Sequence, residues 1–211
     1  MSVWVKICGI TRLQDARAAF DAGADAIGIN FWPRSKRYCE PRRAREIVAA
    51  LAPRRLVYGV FAGATRAEIE AVVAEVGLGG VQLHGGEAPN AAQGWSLPVI
   101  RAVGASSRAA VVEALDDARA ASRSARESYR LLLDNPSGGG SGCLVDASVV
   151  EGLDLASTIV AGGLTPDNVS AIVARLAPFG VDTAGGVEAA AGIKDARLIE
   201  EFIVNARSAR R

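Results

Sequence analysis

The chain has 211 residues, half of them apolar and 5 % aromatic, enough to bury one sizeable core and too few for two typical enzyme domains. With 24 basic and 23 acidic residues its formal charge is +1, which excludes the one-sided field that nucleic acid or an anionic membrane would need. No run approaches the roughly 18 apolar residues of a membrane helix.

Taken in order, the chain repeats one pattern: short apolar strand, loop, amphipathic helix. The predicted strands are Val3–Cys8, Ala26–Phe31, Leu56–Phe61, Gly80–His84, Val99–Val103, Arg130–Asp134, Thr158–Ala161 and Val181–Ala184. Each is rich in Val, Ile or Leu, as a strand buried on both faces should be. The clearest helices are Leu13–Ala22, stopped by Gly23, and Arg42–Leu51, opened by a proline and closed by Pro53. Arg66–Val76, stopped by Gly77, Arg108–Ala121, Asp167–Leu176 and Asp195–Ala206 complete them. Gly and Pro interrupt the regions after the fourth and sixth strands, which read poorly as helix. Ala121–Ser128 reads as a surface helix end and Ser137–Gly142 as a loop. Eight such units in this length suit a single (β/α)8 TIM barrel domain over residues 1–211 better than an open doubly wound sheet.

The first strand opens almost at once, with VWVKIC from Val3, and shows no signal-peptide pattern. Cys8, Cys39 and Cys143 are odd in number and far apart, with neither metal-ligand spacing nor a disulfide framework. A reducing cytoplasm is the expected compartment. The basic runs, Arg34–Arg45 and the Arg207–Arg211 tail, read as solvated surface, Arg37 excepted. The helices show no apolar seam, so a monomer is expected.

In such a barrel the active site lies at the C-terminal ends of the strands. There the sequence places Cys8 and Gly9, Asn30 with Arg37 beyond it, His84 (the only histidine), Arg101, Asp134, and the pairs Gly162-Gly163 and Gly185-Gly186. Glycine pairs after the last two strands suit a phosphate cradle, though each alone could be a tight turn. Asp134 caps an apolar strand, where desolvation favours the neutral carboxyl a general acid needs; a loop cap is the plain alternative. From spacing alone Cys8 is a small buried hydrophobe. His84 reads equally as structural or ligand-facing, and Arg37 as a carboxylate reader or as surface.

Taken together the motifs are more specific. VKICGIT (Val5–Thr11), GINFWPRSKRY (Gly28–Tyr38), VQLHGGE (Val81–Glu87), LLLDN (Leu131–Asn135), AGGLTPDNV (Ala161–Val169) and GVDTAGGVEAAAGIKD (Gly180–Asp195) resemble, in register and over nearly the whole chain, the segments of the phosphoribosylanthranilate isomerase family. The resemblance implies an Amadori rearrangement of a phosphorylated aminoaldose, with Cys8 as general base, its thiol needing only modest lowering, and Asp134 as general acid. Arg37 then meets the anthranilate moiety, His84 a further site position, and Gly162, Gly163, Gly185 and Gly186 the phosphate. No metal or organic cofactor is implied.

Three departures stand out. Ala184-Gly185-Gly186 stands where the family often has Ser-Ser-Gly, Val145 and Ala147 replace two aromatics in the segment Gly140–Ala147, and Gly86 stands where Asp is common. Rival barrels fit less well. A histidine-pathway phosphoribosyl isomerase would use paired aspartates, indole-glycerol-phosphate synthase a lysine acid, and a pentose-phosphate epimerase a metal held by several histidines. A non-catalytic phosphate-binding paralogue would have no need of the Cys8–Asp134 pair.

Overall fold

The computed structural model of the protein describes residues 2–53, 55–124, 129–136 and 145–209. Eight parallel strands close a barrel in chain order: β1 (Trp4–Ile7), β2 (Ala26–Asn30), β3 (Leu56–Phe61), β4 (Gly80–Leu83), β5 (Val99–Gly104), β6 (Tyr129–Asp134), β7 (Thr158–Val160) and β8 (Gly180–Thr183). The seam pairs β8 with β1, setting Lys6 opposite Asp182 and Ile7 opposite Thr183.

Side chains alternate between the two faces of each strand. Val5, Ile7, Ile27, Ile29, Val81, Leu83, Leu131, Leu133 and Val181 pack outward into the main core beneath the helices. A smaller cluster of Ala26, Tyr58, Ile100, Ala102, Leu132, Ile159 and Ala161 fills the lumen. At the N-terminal end of the barrel Trp4 stacks on Phe179 at 5.9 Å between ring centroids, and Arg130 lies over the same ring at 4.4 Å. The same period of two carries Lys6 and Cys8, Gln82 and His84, Asp134 and Asp182 to the lumen side, which is how an apolar barrel acquires a polar mouth.

The helices are α1 (Leu13–Asp21), α2 (Pro41–Ala49), α3 (Arg66–Val76), α4 (Arg108–Ser124), α5 (Ala147–Val150), α6 (Pro166–Leu176) and α7 (Ala196–Ser208). Thr65 caps α3 in a reciprocal box with Glu68, and Gly77 ends it at φ 76°. The two poorly helical regions are a 3-10 turn, Pro89–Ala92, and the single turn of α5. A 3-10 turn at Gly185–Val187 and a small hairpin, β9 (Glu188–Ala190) with β10 (Ile193–Lys194), follow β8, and the sequence reading missed both. α2 stops two residues before the expected Leu51, and α4 runs three beyond Ala121. Residues 125–128 and 137–144, which include Cys143, the last part of the expected helix end Ala121–Ser128, the whole of the expected loop Ser137–Gly142 and part of the altered segment after β6, lie outside the described residues.

Arg207 corrects the reading of the C-terminal basic run as solvated surface. Its Nη2 donates to the Gly23 carbonyl at 2.6 Å and lies 3.3 Å from Asp25, tying α7 to the turn before β2.

Candidate active site

A cavity of about 790 Å³ opens at the C-terminal ends of the strands, and Cys8, Arg37, His84, Asp134 and all four glycines of the two pairs line it. Cys8 follows the last residue of β1, its N–H donating to the Thr183 carbonyl of β8 at 2.8 Å. Gly28 on β2 makes room for the thiol: a Cβ there would stand 2.8 Å from Cys8 Sγ. The expected lowering of the Cys8 thiol is not what its surroundings give. Burial pushes its pKa up, and the ammonium groups of Lys6 and Lys194 only pull against that rise.

Asp134 ends β6 and is 4 % exposed. Its Oδ1 accepts the Asn135 N–H at 2.8 Å, and its Oδ2 lies 3.3 Å from His84 Nε2. Behind the ring, Gln82 Nε2 is 3.1 Å from His84 Nδ1. An amide nitrogen can only donate, so Nδ1 accepts and the ring proton sits on Nε2, aimed at Asp134. His84 is thus hydrogen-bonded on both ring nitrogens and lines the cavity.

Gly162 and Gly163 adopt φ of 80° and 61° in the turn before α6. A Cβ on Gly162 would stand 2.7 Å from Asp134 Oδ1. A Cβ on Gly186 would run into the Leu164 carbonyl, which accepts the Thr183 hydroxyl at 2.7 Å. The two pairs thus fold the turns after β7 and β8 against each other, beside the N-terminus of α6, where backbone amides and the helix dipole favour an anion.

Arg37 does bind a carboxylate bidentately, through one edge of its guanidinium, but that carboxylate is the chain's own Glu188, at 2.7 Å from Nε and 2.8 Å from Nη2. A ligand carboxylate would meet Nη1 and the outer proton of Nη2.

The N-(5'-phosphoribosyl)anthranilate isomerase family model matches residues 5–205. The isomerase of Myxococcus xanthus is 42 % identical over 99 % of this chain and 98 % of its own. The chain belongs to the phosphoribosylanthranilate isomerase family. The crystal structure of the phosphoribosylanthranilate isomerase from Thermotoga maritima superposes with a TM-score of 0.84 at 38 % identity, over 98 % of this chain and 99 % of that one. A second family structure, at 36 % identity and a TM-score of 0.83 over 98 % and 99 %, is a complex with reduced 1-(o-carboxyphenylamino)-1-deoxyribulose 5-phosphate.

Four charged residues in or beside the cavity, of which Asp182 lines it, went unnoticed in the sequence. Lys6 and Asp182 form a buried pair at 2.7 Å. Burial works against the charge on Lys6, but Asp182 outweighs it and holds the ammonium above its ordinary pKa. Glu188 and Lys194 come from the unexpected hairpin: Lys194 Nζ donates to Glu188 Oε1 at 2.8 Å and to the Ala184 carbonyl at 2.9 Å. Burial would raise the Glu188 carboxyl, but Arg37 and Lys194 together hold it below its ordinary range. Arg101, in contrast, faces away from the cavity: its Nε donates to the Glu87 carbonyl at 3.1 Å, and Nη1 is 3.9 Å from Asp117 of α4.

Of the departures from the family pattern, Ala184 and Gly185 line the cavity. Ala184 accepts from Lys194 through its carbonyl and brings no side-chain hydroxyl to the turn. Val145 is buried, and Asp146 Oδ1 accepts the Ser148 N–H at 2.9 Å. Gly186→Ala is expected to force the Gly185 turn away from Leu164. Inhibition by inorganic phosphate, a probe of the cradle, should weaken by roughly tenfold, about the loss of one charge-assisted hydrogen bond. An unchanged inhibition constant would remove Gly185-Gly186 from the cradle.

Proposed function

We infer that this chain isomerises N-(5-phosphoribosyl)anthranilate to 1-(2-carboxyphenylamino)-1-deoxyribulose 5-phosphate, the Amadori step of tryptophan biosynthesis. The observation that carries the reading is the presence of a thiol, Cys8, and a carboxyl, Asp134, in one cavity walled by the two glycine turns. Neither group alone suffices for a reaction that must protonate one atom and deprotonate another.

The steps follow from those positions. Asp134 gives its proton to the furanose ring oxygen. The C1–O bond breaks, and the anilino nitrogen lone pair forms the C1=N iminium. Cys8, as thiolate, takes the proton from C2, and the C–H electrons become the C1=C2 bond of an enolamine. Tautomerisation moves a proton to C1 and leaves the C2 ketone. The substrate's own nitrogen provides the imine, so no lysine Schiff base is needed. Lys6 is wholly buried on Asp182, which weighs against the lysine acid of a synthase.

The phosphate is assigned to Gly162, Gly163, Gly185 and Gly186, and the anthranilate carboxylate to Arg37, with His84 orienting Asp134. A single catalytic domain working as a cytoplasmic monomer is the matching reading. Its support is the free thiols of Cys8 and Cys39 and the sparse apolar surface of the helices, where Val112 and Val204 are the exposed large hydrophobics among the described residues.

The test is the loss of anthranilate fluorescence when purified protein meets freshly generated phosphoribosylanthranilate. Decay well above spontaneous breakdown is expected. Decay at the background rate would favour a phosphate-binding paralogue. Arg37→Ala should raise KM by about 10- to 100-fold, the range of a charged hydrogen-bonded contact, with a smaller effect on kcat. An unchanged KM would leave Arg37 as a partner of Glu188 alone.

A further inference from the structure

Lys6 is wholly buried inside the barrel, and its ammonium meets Asp182 at 2.7 Å across the β1–β8 seam. A buried ion pair contributes little to stability compared with apolar side chains of similar volume, so its presence calls for another use. Its position supplies one. Two residues further along the chain, just past the end of β1 and on the same face, stands Cys8. On the neighbouring strand Gly28 leaves a gap, and the point where its Cβ would lie is 2.8 Å from Cys8 Sγ and 3.3 Å from Lys6 Nζ. Thiol and ammonium therefore rest against the same glycine.

We propose that Lys6, anchored by Asp182, is a positioning residue for the base, its ammonium holding the Cys8 thiolate charged and in place. The proposal rests on the reading of Cys8 as the base. Four charged groups face the thiol: Lys6 from β1, Asp182 from β8, Lys194 from β10, and Arg37 from the segment after β2. Asp134 and His84 reach Asp182 from the far side of the mouth. Lys194 and Arg37 are both committed to Glu188. Burial raises the thiol and the Asp182 carboxylate adds to that rise, whereas Lys6 is the strongest influence in the other direction, ahead of Lys194. A fixed ammonium beside the sulfur is what makes a base of a thiol that burial would keep protonated.

The test is the double variant Lys6→Gln/Asp182→Asn, which keeps a hydrogen-bonded pair and removes both charges. The rate of Cys8 alkylation by iodoacetamide is followed against pH by mass spectrometry of the Cys8 peptide. The profile should move to higher pH, because Lys6 lowers the thiol more than Asp182 raises it, with alkylation at neutral pH slowed about threefold, the change in thiolate fraction for roughly half a unit of pKa. The acid limb of kcat/KM should move with it. An unmoved profile in a folded variant overturns the proposal, since a purely structural pair would change melting without changing the titration. If the amide pair does not fold, Lys6→Met/Asp182→Leu gives the same comparison. Cys8→Ala runs beside it. Activity there would sink the base assignment and leave the alkylation profile to decide the role of Lys6, whereas an inactive Cys8→Ala with an unmoved profile would sink the Lys6 proposal alone.

Discussion

Asp134→Asn is expected to lower kcat by about 10²- to 10⁴-fold, the usual contribution of a positioned general acid, and to leave the fold intact. The amide has the size of the carboxyl, and its oxygen can still accept the Asn135 N–H now held at 2.8 Å. Its NH2 would face His84 Nε2, which lies 3.3 Å from Oδ2. Two donors cannot share that contact, so the ring proton must move to Nδ1. Gln82 can follow, because its Oε1 is buried with no hydrogen-bond partner among the described residues. Turning that amide lets Oε1 accept from Nδ1. The cost to stability should therefore stay near 1 kcal/mol, about one net hydrogen bond. Turnover by fluorescence and a melting curve measure the two effects separately. Wild-type turnover in a variant that melts normally would remove Asp134 from the chemistry.

The barrel was legible in the sequence because each strand is a short aliphatic run and each clear helix has its stop signals. Cys8, His84, Asp134 and the glycine pairs were legible as a set because strand ends gather at one mouth in this architecture. The hairpin after β8 was not, since strands of three and two residues carry no alternation to read. Its two charged residues were lost with it. Arg37 was read as a carboxylate reader or as surface, and its partner Glu188 stands 151 positions away. Lys6 and Asp182 are 176 apart, and nothing local reveals that two strands at opposite ends of the chain are barrel neighbours. The direction of the Cys8 pKa was misjudged for a related reason: desolvation depends on the closed lumen around the sulfur, which no motif records. Motifs report residue types at strand ends, whereas the fields between them come from closure of the seam.

Cys8→Ala is expected to lower kcat by about 10²- to 10⁴-fold as well, and a serine in its place should not restore it, because a hydroxyl is a far weaker acid than a thiol and yields no comparable base. The stability effect is separate and depends on pH. Burial raises the Cys8 pKa above that of an unfolded chain, so the folded protein holds the proton more tightly. That contribution is complete below the unfolded thiol's pKa and is lost as pH rises through the folded one. Alanine removes the proton and the loss together. The variant should melt slightly below wild type at neutral pH, through the small void left by the sulfur, and the gap should narrow or close in alkaline buffer. Wild-type kcat/KM should rise over the same interval as the thiolate forms. Activity that rises with pH while stability falls is what one buried thiol would produce as both base and core residue. A Cys8→Ala protein whose melting temperature falls with pH as steeply as wild type would mean that another group titrates there, and the rise in activity would then need a different base.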